Sequence, residues 1–206
     1  MNKPKIKVCN NYSLENTIDE NELYNYEFNE NVLNNKVLKD ITIDSCIFNN
    51  IDFNNIELDR IELIDCIFNN CDLSNKNFDY TNITRVVFNN CKLTGISFIG
   101  SSLNDIEFSN ENAKYINFSD SKITNMKAIN TDFSNLSFME TKLKKIELDK
   151  VNFNESEITN TNLSNIDFST SIISNIKIDN YSLKGMIIDK FQAFDLINLL
   201  GVKIKE

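Results

Sequence analysis

The sequence predicts an all-β fold: a solenoid of short extended segments and corners, four sides to a coil, with a helix closing its C-terminal end. Three observations predict it. Apolar residues recur at every fifth position in one register from Leu23 to Ile188, as in Phe48, Phe53, Leu58, Leu63, Phe68 and Leu73. A second series lies two positions earlier, through Ile41, Cys46, Ile51, Ile56, Ile61, Cys66 and Cys71. Glycine (4) and proline (1) are scarce, so the many turns must accept ordinary side chains.

The period of five excludes the simpler elements. Stepping by five at about 100° per residue walks an apolar position around a helix, so no face forms. An odd step also switches faces of a flat strand. Two inward positions two apart instead describe a short extended segment, and the three polar positions between them carry a corner.

The twenty-residue coil has its own support. Grouping residues twenty apart separates large from small: Cys46, Cys66, Val86, Ile106, Met126, Ile146, Ile166 and Met186 fall in one column, and Thr81, Ser101, Ser121, Thr141 and Thr161 in the next. Phe28, Phe48, Phe68, Phe88 and Phe108 form a column suited to ring stacking. Asn49, Asn69 and Asn89, with Asn50, Asn70 and Asn90, are expected to form amide ladders outside. With rungs about 4.8 Å apart, some eight coils make a rod on the order of 40 Å long. The cysteines Cys46, Cys66, Cys71 and Cys91 fall inside, as packing residues rather than metal ligands.

Three regions follow: residues 1–20 as an N-terminal cap, 21–188 as the repeat, and 189–206 as a closing helix and strand. Asp189 is placed to cap a helix beginning at Lys190, and Gly201 to end it. Phe191, Phe194, Ile197 and Leu200 make its apolar stripe, and Val202 and Ile204 alternate after it like a short strand. That stripe exceeds what covering one coil requires, so this end is expected to join two copies as a homodimer. Glu111, with Ala113 at the following centre, breaks the pattern. Because burying a lone carboxylate is costly, Glu111 is expected to swing outward at a local bulge.

Chemistry is hard to find. The absence of histidine removes the commonest general base and zinc ligand, and no Gly-rich phosphate loop is present. A filled solenoid offers no cleft for paired carboxylates, so neither enzymatic activity, a cofactor nor a metal is expected. A net charge of −9 argues against direct binding of nucleic acid or anionic membranes. No stretch approaches the length of a membrane span, no secretory signal is visible, and the odd number of cysteines (5) fits reduced thiols in the cytoplasm.

What differs between the faces is charge. The face centred on Phe98 bears Glu57, Asp59, Asp79, Asp120, Glu140, Glu157 and Asp179. The Leu103 face, with Lys122, Lys142, Lys144 and Lys145, is nearly neutral. The Phe108 face carries Glu107, Glu147, Asp149 and Asp167, and the Leu93 face Asp52, Asp72, Asp132 and Glu155. A rigid rod with acidic sides is able to present carboxylates where a DNA-binding surface expects phosphates.

The units CDLSN, TDFSN and TNLSN resemble those of the pentapeptide-repeat family, over about residues 21 to 190. The resemblance implies a right-handed quadrilateral parallel β-helix of twenty residues per coil. Within that family, LKGMIIDKFQAFDLINLLGVKI is similar to the closing segment of Qnr-type quinolone-resistance proteins, through Leu183, Gly185, Ile188, Phe191, Gln192, Leu196, Leu200, Gly201 and Val202. That likeness implies a dimer joined at this end and a DNA mimic that engages DNA gyrase or topoisomerase IV, protecting them from fluoroquinolones or inhibiting them. Many Qnr proteins carry loops that support protection. Here the register runs unbroken, closer to the loopless MfpA type, so the likeness implies gyrase binding or inhibition more directly than protection. The alternative is a rigid scaffold whose partner is unrelated to gyrase.

Overall fold

The computed structural model describes residues 1–6, 10–11, 22–29 and 36–197. They form a right-handed parallel β-helix in which most rungs pair with residues twenty positions away. Ser102–Ser109 lies between Asn82–Asn89 and Lys122–Ile129, with Phe108 opposite Phe88 on one side and Ala128 on the other. Each eight-residue strand bends across two faces. The corner residue between them holds a left-handed backbone, at Asp65 (φ 53°), Arg85 (φ 54°), Asp105 (φ 58°) and Asn125 (φ 56°). The same conformation recurs every five residues, and asparagine and aspartate hold most of these positions because their short polar side chains tolerate it. This explains how so many turns are made with so little glycine.

The interior follows the expected columns. Phe28, Phe48, Phe68, Phe88 and Phe108 are stacked with centroids 4.7, 4.8, 5.1 and 5.4 Å apart. Outside, the amide of Asn69 donates to Asn49 (2.9 Å) and that of Asn90 to Asn70 (2.6 Å). The small residues of the inner series carry a second bond pattern. Ser101 Oγ donates to the Phe78 carbonyl (2.6 Å) and accepts from the Thr81 N–H (3.1 Å). Cys71 Sγ likewise lies 3.4 Å from the Phe48 carbonyl, and Cys91 Sγ accepts from the Cys71 N–H at 3.4 Å. A hydroxyl or thiol here satisfies backbone groups that the corner takes out of the ladder. Cys46, Cys66, Cys71 and Cys91 are buried, the last three as free thiols.

Glu111 corrects the expectation of an outward bulge. Asn112 keeps its bridges to Lys92 and Asp132, so the rung is regular. The Glu111 side chain is buried in the same column as Cys71 and Cys91, and its Oε2 accepts from the Cys91 N–H at 2.6 Å. Its Oε1 is buried without a partner. Burial pushes this carboxyl up to about 9, which leaves it a neutral acid at pH 7.

The ends differ in part from expectation. Asn10–Asn11 extends the helix by one rung, pairing with Tyr26 and Glu27. Residues 1–6 instead lie along the side of the rod. The Asn2 N–H donates to Asp105 Oδ1 (2.7 Å), the Lys5 N–H to Asp65 Oδ1 (2.8 Å), and Lys3 pairs with Glu107. At the other end a short helix α1 (Asn180–Leu183) lies inside the stretch read as repeat. Helix α2 (Gln192–Ile197) begins two residues later than expected, but Asp189 does cap it. Asp189 Oδ1 accepts from the Gln192 N–H (2.8 Å) and Gln192 Oε1 from the Asp189 N–H (2.8 Å), a reciprocal box. Leu200, Gly201, Val202 and Ile204 lie outside the described residues.

One rung is open. Strand Lys142–Asp149 pairs with Lys122–Ile129 on one side, and among the described residues no strand pairs with its other edge. On the two remaining faces the ladder continues, through Asn152 to Ile172 and Glu157 to Lys177.

Candidate interaction faces

The seven carboxylates of the Phe98 face are not equivalent. The side chains of Glu57, Asp120, Glu140 and Glu157 make no ion pair or hydrogen bond among the described residues. Asp120 and Glu140 occupy left-handed corners one rung apart (φ 58° and 54°), which aims their side chains away from the rod. Asp79 is held instead. Its Oδ1 accepts from Ser97 Oγ (2.5 Å) and the Ile99 N–H (2.8 Å). Asp59 pairs with Lys39 (3.2 Å) and with Arg60 (3.3 Å), which also grips Asp40. Asp179 caps α1, accepting from the Ser182 N–H (2.7 Å), while its other oxygen takes the Asn160 N–H (2.6 Å). Those backbone donors, Ser182 first and Asn160 next, hold its carboxyl below the usual range. The middle of the face, through Ser97, Ile99, Asn117, Ser119, Ser137 and Met139, is uncharged. The seven therefore form two end clusters and a corner pair rather than a continuous stripe.

The other acidic faces are partly neutralised. Asp72 pairs with Lys92 (3.0 Å) and Asp132 with Lys114 (3.5 Å) on the Leu93 face. At the corner between the Leu103 and Phe108 faces, residues 1–6 occupy Asp65, Asp105 and Glu107, and Arg85 clamps Asp65 with two bonds of 2.6 Å. Burial alone raises the Asp65 carboxyl, but Arg85 and the Lys5 N–H outweigh it and leave the group lowered. Sequence reasoning missed this masking: the pairs twenty apart follow from the coil length, but the contacts of residues 1–6, from 60 to 104 positions away, carry no local signal.

Exposed aromatic rings complete the surface. Tyr80 stands at a left-handed corner (φ 57°) beside Asp79, 81% exposed. Its ring lies over Gly100, where a Cβ would meet Tyr80 Cδ1 at 2.6 Å. On α2, Gln192 and Leu196 are buried against the last coils, with the Gln192 amide donating to the Phe168 and Ser171 carbonyls (2.8 and 2.6 Å). Phe191 (68% exposed) and Phe194 (56%) face outward, and Ile197 is half-buried. No helix among the described residues is long and apolar enough to cross a membrane.

Known proteins resemble this chain in structure and in sequence pattern. No curated relative matches the sequence. Among solved structures, the chain is similar to QnrB1, a plasmid-mediated fluoroquinolone resistance protein, at 18% identity over 90% of this chain and 98% of that one (TM-score 0.39). It is also similar to HetL, involved in heterocyst differentiation regulation in the cyanobacterium Nostoc sp. strain PCC 7120, at 11% identity over 82% and 90% (TM-score 0.44). A third is Rfr23 from the cyanobacterium Cyanothece 51142, at 15% identity over 60% and 91% (TM-score 0.32). Family models match directly: the pentapeptide repeat region over residues 61–132, and eight-copy pentapeptide repeats over 116–154 and 137–175. Together they span more than half of the sequence, and the chain belongs to the pentapeptide-repeat family.

Proposed function

We propose that this protein is a rigid interaction rod that works by binding rather than by catalysis, in the cytoplasm, and that its Phe98 face engages the DNA-binding groove of a type II topoisomerase. The observation that carries this reading is the set of carboxylates whose side chains lack partners, Glu57, Asp120, Glu140 and Glu157, on a scaffold of stacked strands. Unpaired charges at fixed separations steer and orient a basic partner better than the same charges on a mobile loop. Helix α2 supplies the second element. Exposed Phe191 and Phe194 form an apolar surface at one end of the rod, through which two copies join and lengthen the acidic surface.

A second reading, a scaffold for a basic protein unrelated to topoisomerases, is favoured by the uncharged middle of the same face. Bulk charge also weighs on this side. A net −9 over a rod of roughly 40 Å is about one charge per 4 Å, whereas duplex DNA carries about one per 1.7 Å. Mimicry therefore depends on the local clusters and not on overall charge.

DNA supercoiling by gyrase, followed with and without ciprofloxacin across a titration of the protein, separates the readings. Rescue from the drug, or inhibition without it, that is weakened in an Asp120→Lys, Glu140→Lys variant supports the topoisomerase reading. No effect on gyrase or topoisomerase IV at concentrations well above micromolar assigns the rod to another partner.

A further inference from the structure

We infer that the open edge of strand Lys142–Asp149 is a docking slot for an extended, acidic polypeptide segment of another protein, which adds to it as a β-strand. Most coils close on the next; the other gap, between Glu57–Asp59 and residues 77–79, spans one face only, holds a cleft of about 430 Å³, and has its Ile56 carbonyl taken by Lys76 Nζ (2.9 Å). Phe133 N–H bonds to the Asn152 carbonyl (2.8 Å), and Lys142 N–H to the Ser121 carbonyl (2.9 Å). By the same offsets, Leu143, Lys145 and Leu148 should donate to the carbonyls of Asn162, Ser164 and Asp167. Thr141 and Ile146 carbonyls should accept from Asn162 and Asp167. None of these bonds is made. Threonine hydroxyls pin the two ends of the gap instead: Thr161 Oγ1 accepts from the Thr141 N–H (3.1 Å) and Thr170 Oγ1 from the Lys150 N–H (3.3 Å). Between them a cleft of about 580 Å³ opens along Lys142, Leu143 and Asn162, with a second of about 300 Å³ along Lys144, Lys145 and Asn165.

Side chains state what fits. Leu143, Ile146 and Leu148 are only half-buried, whereas Ile123 and Ala128 in the preceding rung are fully buried. Lys142, Lys144 and Lys145 are exposed, and none of them forms an ion pair among the described residues. Lys122 sits directly opposite Lys142 in the ladder, and like charges so placed repel. A partner strand that alternates apolar and acidic residues would put the first against Leu143 and the second beside Lys142 and Lys144. Its backbone would take up the three unused N–H groups, the arrangement by which sheet edges capture extended segments.

The test uses the full chain and a capped octapeptide, Glu-Val-Glu-Gly-Val-Thr-Val-Thr, which sets valine against Leu143, Ile146 and Leu148, glutamate beside Lys142 and Lys144, and glycine at the Lys145 corner. Amide exchange in the free protein should be fast at Leu143, Lys145 and Leu148 and at least about tenfold slower with the peptide bound. Fluorescence anisotropy should show affinity falling by about tenfold or more in a Lys142→Glu, Lys144→Glu, Lys145→Glu variant whose circular dichroism is unchanged. An octapeptide with a central proline should fail. Protection of those amides in the free protein, equal binding by the proline peptide or by the same peptide with lysine in place of glutamate, or equal protection by heparin each overturn the proposal. Concentration-dependent protection without peptide would assign the edge to a second copy of this chain.

Discussion

Single residues of this rod carry strain that the repeat does not require. Glu111 is the clearest, a neutral acid where neighbouring coils use thiol or hydroxyl. Its carboxyl lies near 4.5 in the unfolded chain and about 9 in the rod. Between those values the folded chain keeps a proton that the unfolded chain has released, so raising the pH favours unfolding. The contribution is fully present below about pH 4.5 and is lost toward pH 9, at no more than about 1.4 kcal/mol per pH unit. Melting temperature followed across that range should fall in the native protein and lose this part of its slope in Glu111→Gln. Glu111→Thr should lose the slope and also melt higher, since threonine serves this column at Thr131. An unchanged slope in both variants would show that Glu111 does not titrate as described. Tyr115 is strained differently. It holds φ 59° in a column where the rungs on either side use Gly95 and Asn135, and its ring is 59% exposed. A left-handed backbone costs most residues about 1–2 kcal/mol, so Tyr115→Asn should stabilise the rod by about 1 kcal/mol in denaturant titration.

Elements show where the sequence was legible and where it was not. The β-helix could be read because strand and corner together set a local period of five, and every rung repeats it from Leu38 through Ile178. Helix α1 was hidden because Leu183 falls on that register by coincidence. The available signal was Asp179 followed by Ser182, an N-cap whose side chain reaches the third helical residue. The path of residues 1–6 had no signal, since nothing in Asn2, Lys3 or Lys5 names partners as distant as Asp105, Glu107 and Asp65. That segment has its own test. Burial raises the Asp105 carboxyl, but donors led by Asn2 outweigh it and leave the group lowered, so the attachment is strongest above its ordinary pKa of 3.8 and is lost as the pH falls below it. Asp105→Asn, which keeps the shape and removes the charge, should speed amide exchange at Asn2 at neutral pH and leave the Phe88–Phe108 rungs unchanged. Equal exchange in the two proteins would mean that the segment is held elsewhere.

At the scale of the molecule, a solenoid is stabilised by each coil and by its interface with the next, so its weakest interface decides how it opens. Here that interface lies after Lys142–Asp149. Two of its four faces keep their ladder, through Phe153 to the Ile172 carbonyl (2.8 Å) and Ile158 opposite Ile178, while the Leu103 and Phe108 faces have none. Residues 161–169 follow the repeat as well as any others, so the sequence carries no mark of this weakness. The coils beyond it are also the ones that α2 covers through Gln192 and Leu196. A rod of uniform coupling would unfold as one unit or fray evenly from its ends. This one should open in two stages, the coils from Asn162 onward releasing before Glu62–Ile129. Native-state amide exchange in low denaturant measures it directly: the Phe168 and Ile187 amides should exchange through a lower-energy opening than those of Ile83 and Ile106. A single shared opening energy would show that the Leu93 and Phe98 ladders alone couple the two parts. An acidic peptide seated on the open edge should then raise the lower energy toward the higher one, because it supplies the bonds that the missing ladder lacks.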